Sequence, residues 1–359
     1  MKANKGEWSE LYVFFKILCD RRLPAADKNL EIMEDRFFEF HKIFRNDIRG
    51  EKTYDLRGDC IVILNETGVI LKQFTRADIV DKTYKILDRI QSANTTTFEI
   101  PEAEELMEES LCSQLKAGNT EKADLKAVIF DRISSKEVVE GFSIKSMLGG
   151  ASTLLNAGKT TNFVFNVSGL DESKIDEINS TNPTHGKIQK RLAKIVENGG
   201  TLTFEKVLSD TFQSNLKKID TVFHLFIAQM LLDFFSGKAS KITDLVDLLR
   251  KNELLTKQFQ LSGSDYEFKI KNFLISSALG MVPSRIWDGF TKAGGGYIIV
   301  RESGIIVCYH LYNREDFLTY LFENTKFESA SSTRHDYGKL YKKGDDVYFN
   351  LNLQIRFLK

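Results

Sequence analysis

Cysteine, proline and net charge are all scarce in this chain of 359 residues, and each scarcity removes a class of protein. The four cysteines, Cys19, Cys60, Cys112 and Cys308, are too scattered for a CxxC zinc pair and too few for a disulfide framework at this length. They read as buried thiols of a reducing compartment, and the cytoplasm is the expected location. Only four prolines are present, which excludes a proline-rich linker or a fibrous repeat. Lysine plus arginine equals aspartate plus glutamate at 50 each, so no bulk basic field pulls the chain onto nucleic acid indiscriminately. A site-specific DNA enzyme needs only a locally basic cleft and survives this test. No apolar run approaches the roughly 18 residues of a membrane span, and the residues from Met1 to Trp8 lack the apolar segment of a signal peptide. Neither spanning nor secretion is expected. Five histidines, His41, His185, His224, His310 and His335, show no HExxH or other ligand spacing.

What is present is hydrophobic and aromatic: 42% and 11% of the residues, with 27 phenylalanines, enough for a sizeable core. The length favours two parts, a core over 1–170 and a helical and β part over 171–359, with a soft boundary. Leu11, Phe14, Phe15 and Leu18 recur at helical intervals and predict a helix over 6–19. Strands are expected at 37–44, 60–64 and 69–71, the last two joined by a turn at Asn65-Glu66-Thr67-Gly68, and helices at 76–91 and 101–114. After about 171 helices are expected at 175–178, 185–197, 204–208, 216–235 and 242–249, and strands at 296–301, 305–309 and 347–357. The fold class is therefore α/β (α+β), a mixed central sheet flanked by helices.

Two β-rich runs, 123–132 and 138–146, flank a polar turn and form an antiparallel hairpin in the simplest reading. Symmetry about Ser134-Ser135 sets Asp124 opposite Lys145, with Ser143 on the same face as Lys145. A carboxylate beside an ammonium suits phosphodiester hydrolysis, the first binding a metal and the second orienting water and offsetting charge. Opposite charges across strands also decorate sheets without any catalytic role, and spacing alone does not choose. Glu10 follows Gly6 by four residues, on the side of apolar Phe14. If its helix packs on the hairpin, Glu10 completes an all-oxygen Mg²⁺ site with Asp124, main-chain carbonyls such as that of Ile144, and water. Otherwise it is a solvated glutamate.

Asp124 followed by Ser143-Ile144-Lys145 resembles the D…(D/E)xK core of the restriction-endonuclease superfamily, PD-(D/E)xK, and Lys5-Gly6 with Glu10 resembles a helix of archaeal Holliday-junction resolvases whose glutamate joins the metal site. Across nearly the whole chain, the blocks Asn4-Lys5-Gly6-Glu7-Trp8-Ser9-Glu10-Leu11-Tyr12, Gly141-Phe142-Ser143-Ile144-Lys145-Ser146, Leu154-Leu155-Asn156-Ala157, and those from Val307 to His310 and from Leu353 to Phe357 resemble the HpaII family of type II restriction endonucleases. The resemblance implies Mg²⁺-dependent cleavage of double-stranded DNA at a four-base CCGG-type site, leaving 5′-phosphate ends. It also implies a cognate methyltransferase as a genetic partner and allows a homodimer. Ser143 departs from the superfamily pattern, standing where the second acid usually sits; the resemblance assigns that carboxylate to Glu10.

Several stretches suit a duplex. The Gly-, Ser-, Thr- and Asn-rich loop from Gly149 to Asn162, with Thr153, Asn156, Thr160 and Asn162, fits a DNA backbone or a plain flexible loop. Its Gly158-Lys159-Thr160 is no Walker motif, because Thr153 stands where that motif needs glycine. Arg334 and His335 sit in a basic loop suited to phosphates. Gln354 and Arg356 alternate on one strand face and have the side chains that read adenine and guanine edges, or they line an exposed strand. Two rivals remain: a less specific nuclease of the same superfamily, and a DNA-binding protein without catalysis.

Overall fold

The computed structural model describes residues 1–48, 50–116, 123–131, 135–290, 294–310 and 314–358. In chain order these form α1 (Lys5–Asp20), β1 (Arg22–Ala26), β2 (Ile32–Asp47), β3 (Gly50–Asp55), β4 (Ile61–Leu64), β5 (Ile70–Phe74), α2 (Arg76–Ser92), α3 (Pro101–Glu109), β6 (Leu125–Asp131) and β7 (Lys136–Ser146). Next come β8 (Thr153–Leu155), β9 (Asn162–Ser168), α4 (Ile175–Ser180), α5 (Lys187–Glu197), β10 (Thr201–Val207), α6 (Asp210–Ile219), α7 (Phe223–Phe235), α8 (Ile242–Arg250), α9 (Glu253–Phe259) and α10 (Gly263–Leu279). The chain ends with β11 (Gly296–Val300), β12 (Ile306–Tyr309), α11 (Arg314–Glu323), β13 (Thr325–Phe327), α12 (Ser332–His335), β14 (Leu340–Lys343), β15 (Asp346–Asn352) and β16 (Ile355–Phe357). The result is a mixed α/β protein of two compact units.

The first unit comprises 1–152 and 291–320. Its sheet runs β1-β12-β11-β7-β6-β2-β3-β4-β5, and β1 also pairs with β2. Most neighbours are antiparallel, but β7 and β11 run parallel, as do β1 and β12. β7 is therefore interior, bonded to β6 on one side and β11 on the other. Against this sheet packs α1, begun by a capping box in which Asn4 and Glu7 exchange side-chain and main-chain hydrogen bonds. Trp8, Leu11, Phe14, Phe15 and Leu18 of α1 join Leu125, Ala127, Phe142 and Ile144 of the hairpin in one buried cluster. Burying each large side chain contributes on the order of 1.5–3 kcal/mol, so the helix expected from its apolar stripe is held in place by that stripe. Gly296 opens β11 with φ +90°, and a Cβ there would lie 1.9 Å from the Tyr309 carbonyl oxygen, so only glycine lets β12 approach this closely.

The second unit comprises 153–290 and 321–358, with sheets β10-β9-β15-β14 and β13-β16-β8 and the helices α4 to α10 and α12. Three expectations are corrected here. The helix expected at 204–208 is part of β10, paired antiparallel with β9 (Phe204 with Phe165); Thr201 to Phe204 alternates with period two, and that pattern prevails. The helix expected at 216–235 is two helices, broken where the Asp220 carboxylate accepts from Val222 N and its carbonyl from Phe223 N. The strand expected at 347–357 divides into β15 and β16 around Leu353 and Gln354, neither of which lies in a strand.

Candidate active site

At one end of the β6–β7 hairpin the main chain brings the predicted chemistry together. Leu125 pairs with Phe142 and Asp131 with Lys136, which extends to Asp124 opposite Ser143. The register is thus two residues from the symmetric expectation that set Asp124 against Lys145. A shift of two keeps every side chain on its original face. Most of the turn, 132–134, lies outside the described residues. Asp124 is anchored twice: its N–H donates to the Phe142 carbonyl at 2.8 Å, and its Oδ2 accepts from Ile144 N at 2.7 Å. This carboxylate is therefore aimed by the strand that carries Ile144 and Lys145.

Ser143 is buried and pairs with Tyr297 of β11, while Lys145 pairs with Ile299. The Lys145 Nζ stands 5.6 Å from the centroid of the buried Tyr297 ring, close enough for a cation–π attraction. Helix α1 reaches the same corner. Ser9 Oγ bonds the Lys5 carbonyl at 2.7 Å and meets Ser146 Oγ at 2.8 Å, tying the first helical turn to the end of β7. Gly149 lies beside it; a Cβ there would be 3.3 Å from Lys5 Cβ.

Glu10, one residue after Ser9, is the partly buried acid of this corner. Burial first, and then the negative charge of Asp124, push its carboxyl up to about 6, against the opposing pull of Lys116 and Lys145. Lys116 Nζ lies 3.4 Å from Glu10 and 3.9 Å from Glu7. Two carboxylates, the main chain at Ile144 and two ammonium groups thus share one electrostatic neighbourhood. Sequence spacing did not identify Lys116 or Tyr297; neither belongs to a motif, and Tyr297 is separated from Lys145 by about 150 residues of chain. Among the described residues no three His, Cys, Asp or Glu groups converge as a ready metal cage. The donor set is all oxygen and doubly anionic, which suits a hard divalent cation with several waters.

The residues expected to meet DNA fall in the second unit and divide into two groups. Arg356 of β16 pairs with Lys326 of β13 and with Thr153 of β8, and its guanidinium bonds Glu328 at 2.7 Å. Gln354 precedes β16 and is half-buried, its carbonyl accepting from Glu328 N. Gln354 and Arg356 therefore do not share a regular strand face. In the second group Asn156 and Arg334 are exposed, and Thr160 and His335 half-buried. Burial and neighbouring Arg334 lower the pKa of His335. Asn162 is corrected: it is fully buried, donating to the His335 and Asp336 carbonyls and accepting from Asn352 Nδ2 at 2.6 Å. Its amide holds the loop together and has no surface to offer a duplex.

A family model described as HpaII restriction endonuclease matches residues 4–357. The chain is 36% identical over 362 residues to the type II restriction enzyme HpaII of Haemophilus parainfluenzae, an alignment that covers 99% of this chain and 98% of that enzyme. No solved structure matches. No helix among the described residues is long and apolar enough to cross a membrane.

Proposed function

This chain belongs to the HpaII restriction endonuclease family, and from that premise we propose that it hydrolyses double-stranded DNA at a CCGG-type site in a Mg²⁺-dependent reaction, leaving 5′-phosphate ends. The observation that carries the catalytic assignment is the meeting of Glu10, Asp124 and Lys145 in one corner, with the Glu10 carboxyl raised by burial and by Asp124. In this reading the first unit is a PD-(D/E)xK core. Its interior strand β7, antiparallel to β6 and parallel to β11, supports the reading, as does α1 packed across them.

Asp124, Glu10 and the Ile144 carbonyl would hold the ion, with Glu10 standing in for the acid absent at Ser143. When bound, Mg²⁺ supplies positive charge at the phosphate and acidifies water. Asp124 contributes a fixed orientation through the Ile144 N–H. Lys145, propped over the Tyr297 ring, orients the attacking water and offsets the charge that builds on the phosphate oxygens. Ser143 is small enough to leave room for the carboxylate arriving from α1. A cognate methyltransferase as genetic partner, a homodimeric state and a cytoplasmic location complete the reading.

Incubating a sequenced plasmid with the protein tests it. Discrete fragments whose ends map to CCGG, formed with Mg²⁺ and abolished by EDTA, are expected. A ladder or smear favours a less specific nuclease, and tight binding without any nicking favours a non-catalytic protein.

Base reading is assigned to Arg356, with Gln354 beside it, while Thr153, Asn156, Thr160, Arg334 and His335 serve backbone contacts. The ion pair with Glu328 restrains the Arg356 guanidinium, and arginine is the side chain that reads guanine bidentately. Arg356→Ala is expected to weaken cognate binding by about 1–3 kcal/mol while sparing random duplex. Arg334→Ala is expected to weaken both and to lower the salt dependence by about one phosphate. Competition binding in Ca²⁺ measures both; an equal loss on the two duplexes for Arg356→Ala removes it as a base reader.

A further inference from the structure

We propose that the loop from Val282 to Phe290 is a rigid wedge that enters bound duplex DNA, with Ile286 and Phe290 as its apolar tips and Arg285 as a phosphate contact. The proposal rests on the DNA-cleaving reading above. Ile286 is 81% exposed and Phe290 74%, while Trp287 between them is 9% exposed. Large apolar side chains this bare usually belong to loose segments, yet this backbone is hydrogen-bonded at Val282, Arg285, Trp287 and Phe290. Buried Asn215 of α6 donates to the Arg285 carbonyl at 2.8 Å and to the Val282 carbonyl at 3.4 Å, and accepts from Trp287 N at 3.0 Å. Lys218, also of α6, donates to the Trp287 carbonyl. The Trp287 indole N–H donates to the Phe290 carbonyl at 3.1 Å, and Phe290 N donates to the Asp288 carboxylate at 3.0 Å. Gly289, with φ +92° and open space around it, makes the turn that presents Phe290.

A loop held this way has already lost its conformational freedom before binding, so its tips can be buried against a partner with little further ordering. Duplex DNA is the partner that the surroundings select. The Arg285 guanidinium is exposed and has no ion pair or hydrogen bond among the described residues, and Lys217 lies exposed on the anchoring helix. The loop's carboxylate, Asp288, is exposed and accepts from Phe290 N. Phenylalanine and isoleucine wedges unstack base steps and kink the duplex, and a base offers its π face to an aromatic tip whatever its identity.

Duplexes containing CCGG and carrying 2-aminopurine at successive positions within and beside the site read the insertion directly, with the full-length protein in Ca²⁺. Binding by the parent is expected to raise the fluorescence at one step. Phe290→Ala and Ile286→Ala should suppress that rise and weaken binding by roughly five- to 150-fold, the range that base stacking supplies, with unchanged thermal melting. Phe290→Trp should restore both. If the parent binds and cuts while the alanine variants match it in fluorescence and affinity, the wedge is refuted and the nuclease reading stands. If the parent neither binds nor cuts, both fall. If the alanine variants instead change only the sedimentation of the DNA-free protein, the loop docks a second copy and the wedge is likewise overturned.

Discussion

Asp124→Ala is expected to lower DNA cleavage by ~10³-fold or more, because a lost metal ligand removes several kcal/mol of charge stabilisation and each 1.4 kcal/mol is a factor of ten. Lys145→Ala is expected to lower it roughly 10²–10³-fold, the usual effect of deleting one preorganised donor at a developing charge. Both variants should fold. Removing the Asp124 carboxylate leaves its own N–H bonded to Phe142 and costs about 1 kcal/mol at the Ile144 N–H. Removing the half-exposed Lys145 forfeits a cation–π contact of about 0.5–1 kcal/mol. Asp124→Asn retains an acceptor for Ile144 N without the charge, so it separates orientation from metal binding; it should be nearly as inactive as alanine. Single-turnover cleavage at saturating DNA and Mg²⁺, with affinity measured separately in Ca²⁺, places the losses in the chemical step. Parental cutting rates in either alanine variant would remove that residue from the site.

Glu10→Gln should do two opposite things: abolish most cleavage, by about a hundredfold or more, and stabilise the metal-free protein at pH 7–8. The sign follows from the raised carboxyl. Folding lifts it from 4.5 to about 6, so the folded state favours the neutral form. Below about pH 4.5 the group is neutral in both states and contributes nothing. Above about 6 it is ionised in an unfavourable place, and the fold is weaker by about 2 kcal/mol. Glutamine keeps the shape without the charge. The value of about 6 already includes the opposing pull of Lys116, so losing that contact does not reverse the sign. Thermal unfolding of the metal-free variant should therefore exceed that of the parent at pH 8, with the gap closing as the pH falls below 6. Metal binding to the parent requires the ionised carboxylate, so the Mg²⁺ needed for half-maximal cleavage should rise as the pH falls through 6. Glu7→Ala is the control: it breaks a capping box, costing about 1 kcal/mol of helix stability, and should cut nearly normally. Parental activity in Glu10→Gln would mean that the metal is held by other groups.

Much of the candidate corner was legible because its parts are local. The α1 stripe announced a helix with one apolar face, and the alternation in 123–146 announced a hairpin whose far end carries Asp124 and Lys145. The error of two in register arose at the turn, where symmetry about Ser134-Ser135 was only an assumption. It did no harm to the site, since a two-residue slip preserves the face. The error at 204–208 has another origin, since a short apolar run fits a helix and a strand alike until a neighbouring strand chooses. Those at 216–235 and 347–357 are breaks within elements of the expected type, set at 216–235 by the hydrogen bonds that Asp220 accepts.

The residues proposed to meet DNA were less legible. A polar side chain reads the same in sequence whether it meets solvent, phosphate or another amide. Asn162 was assigned to a duplex by composition, and its place beneath His335 and Asn352 became visible only in the fold. Arg356 was recognised as a guanine-reading type, but Glu328, its ion-pair partner, is 28 residues away.

By itself the sequence determined the elements whose chemistry repeats along the chain: the amphipathic period of α1, the alternating β6–β7 pair, the balanced charge and the ordered family blocks. Only the tertiary structure decided which separated groups share a low-dielectric corner. The raised Glu10 carboxyl, the Tyr297 ring under Lys145 and the nearness of Lys116 arise from approach through space. Coulombic and desolvation energies depend on distance and burial, and no one-dimensional spacing encodes either between Glu10, Lys116, Asp124 and Tyr297.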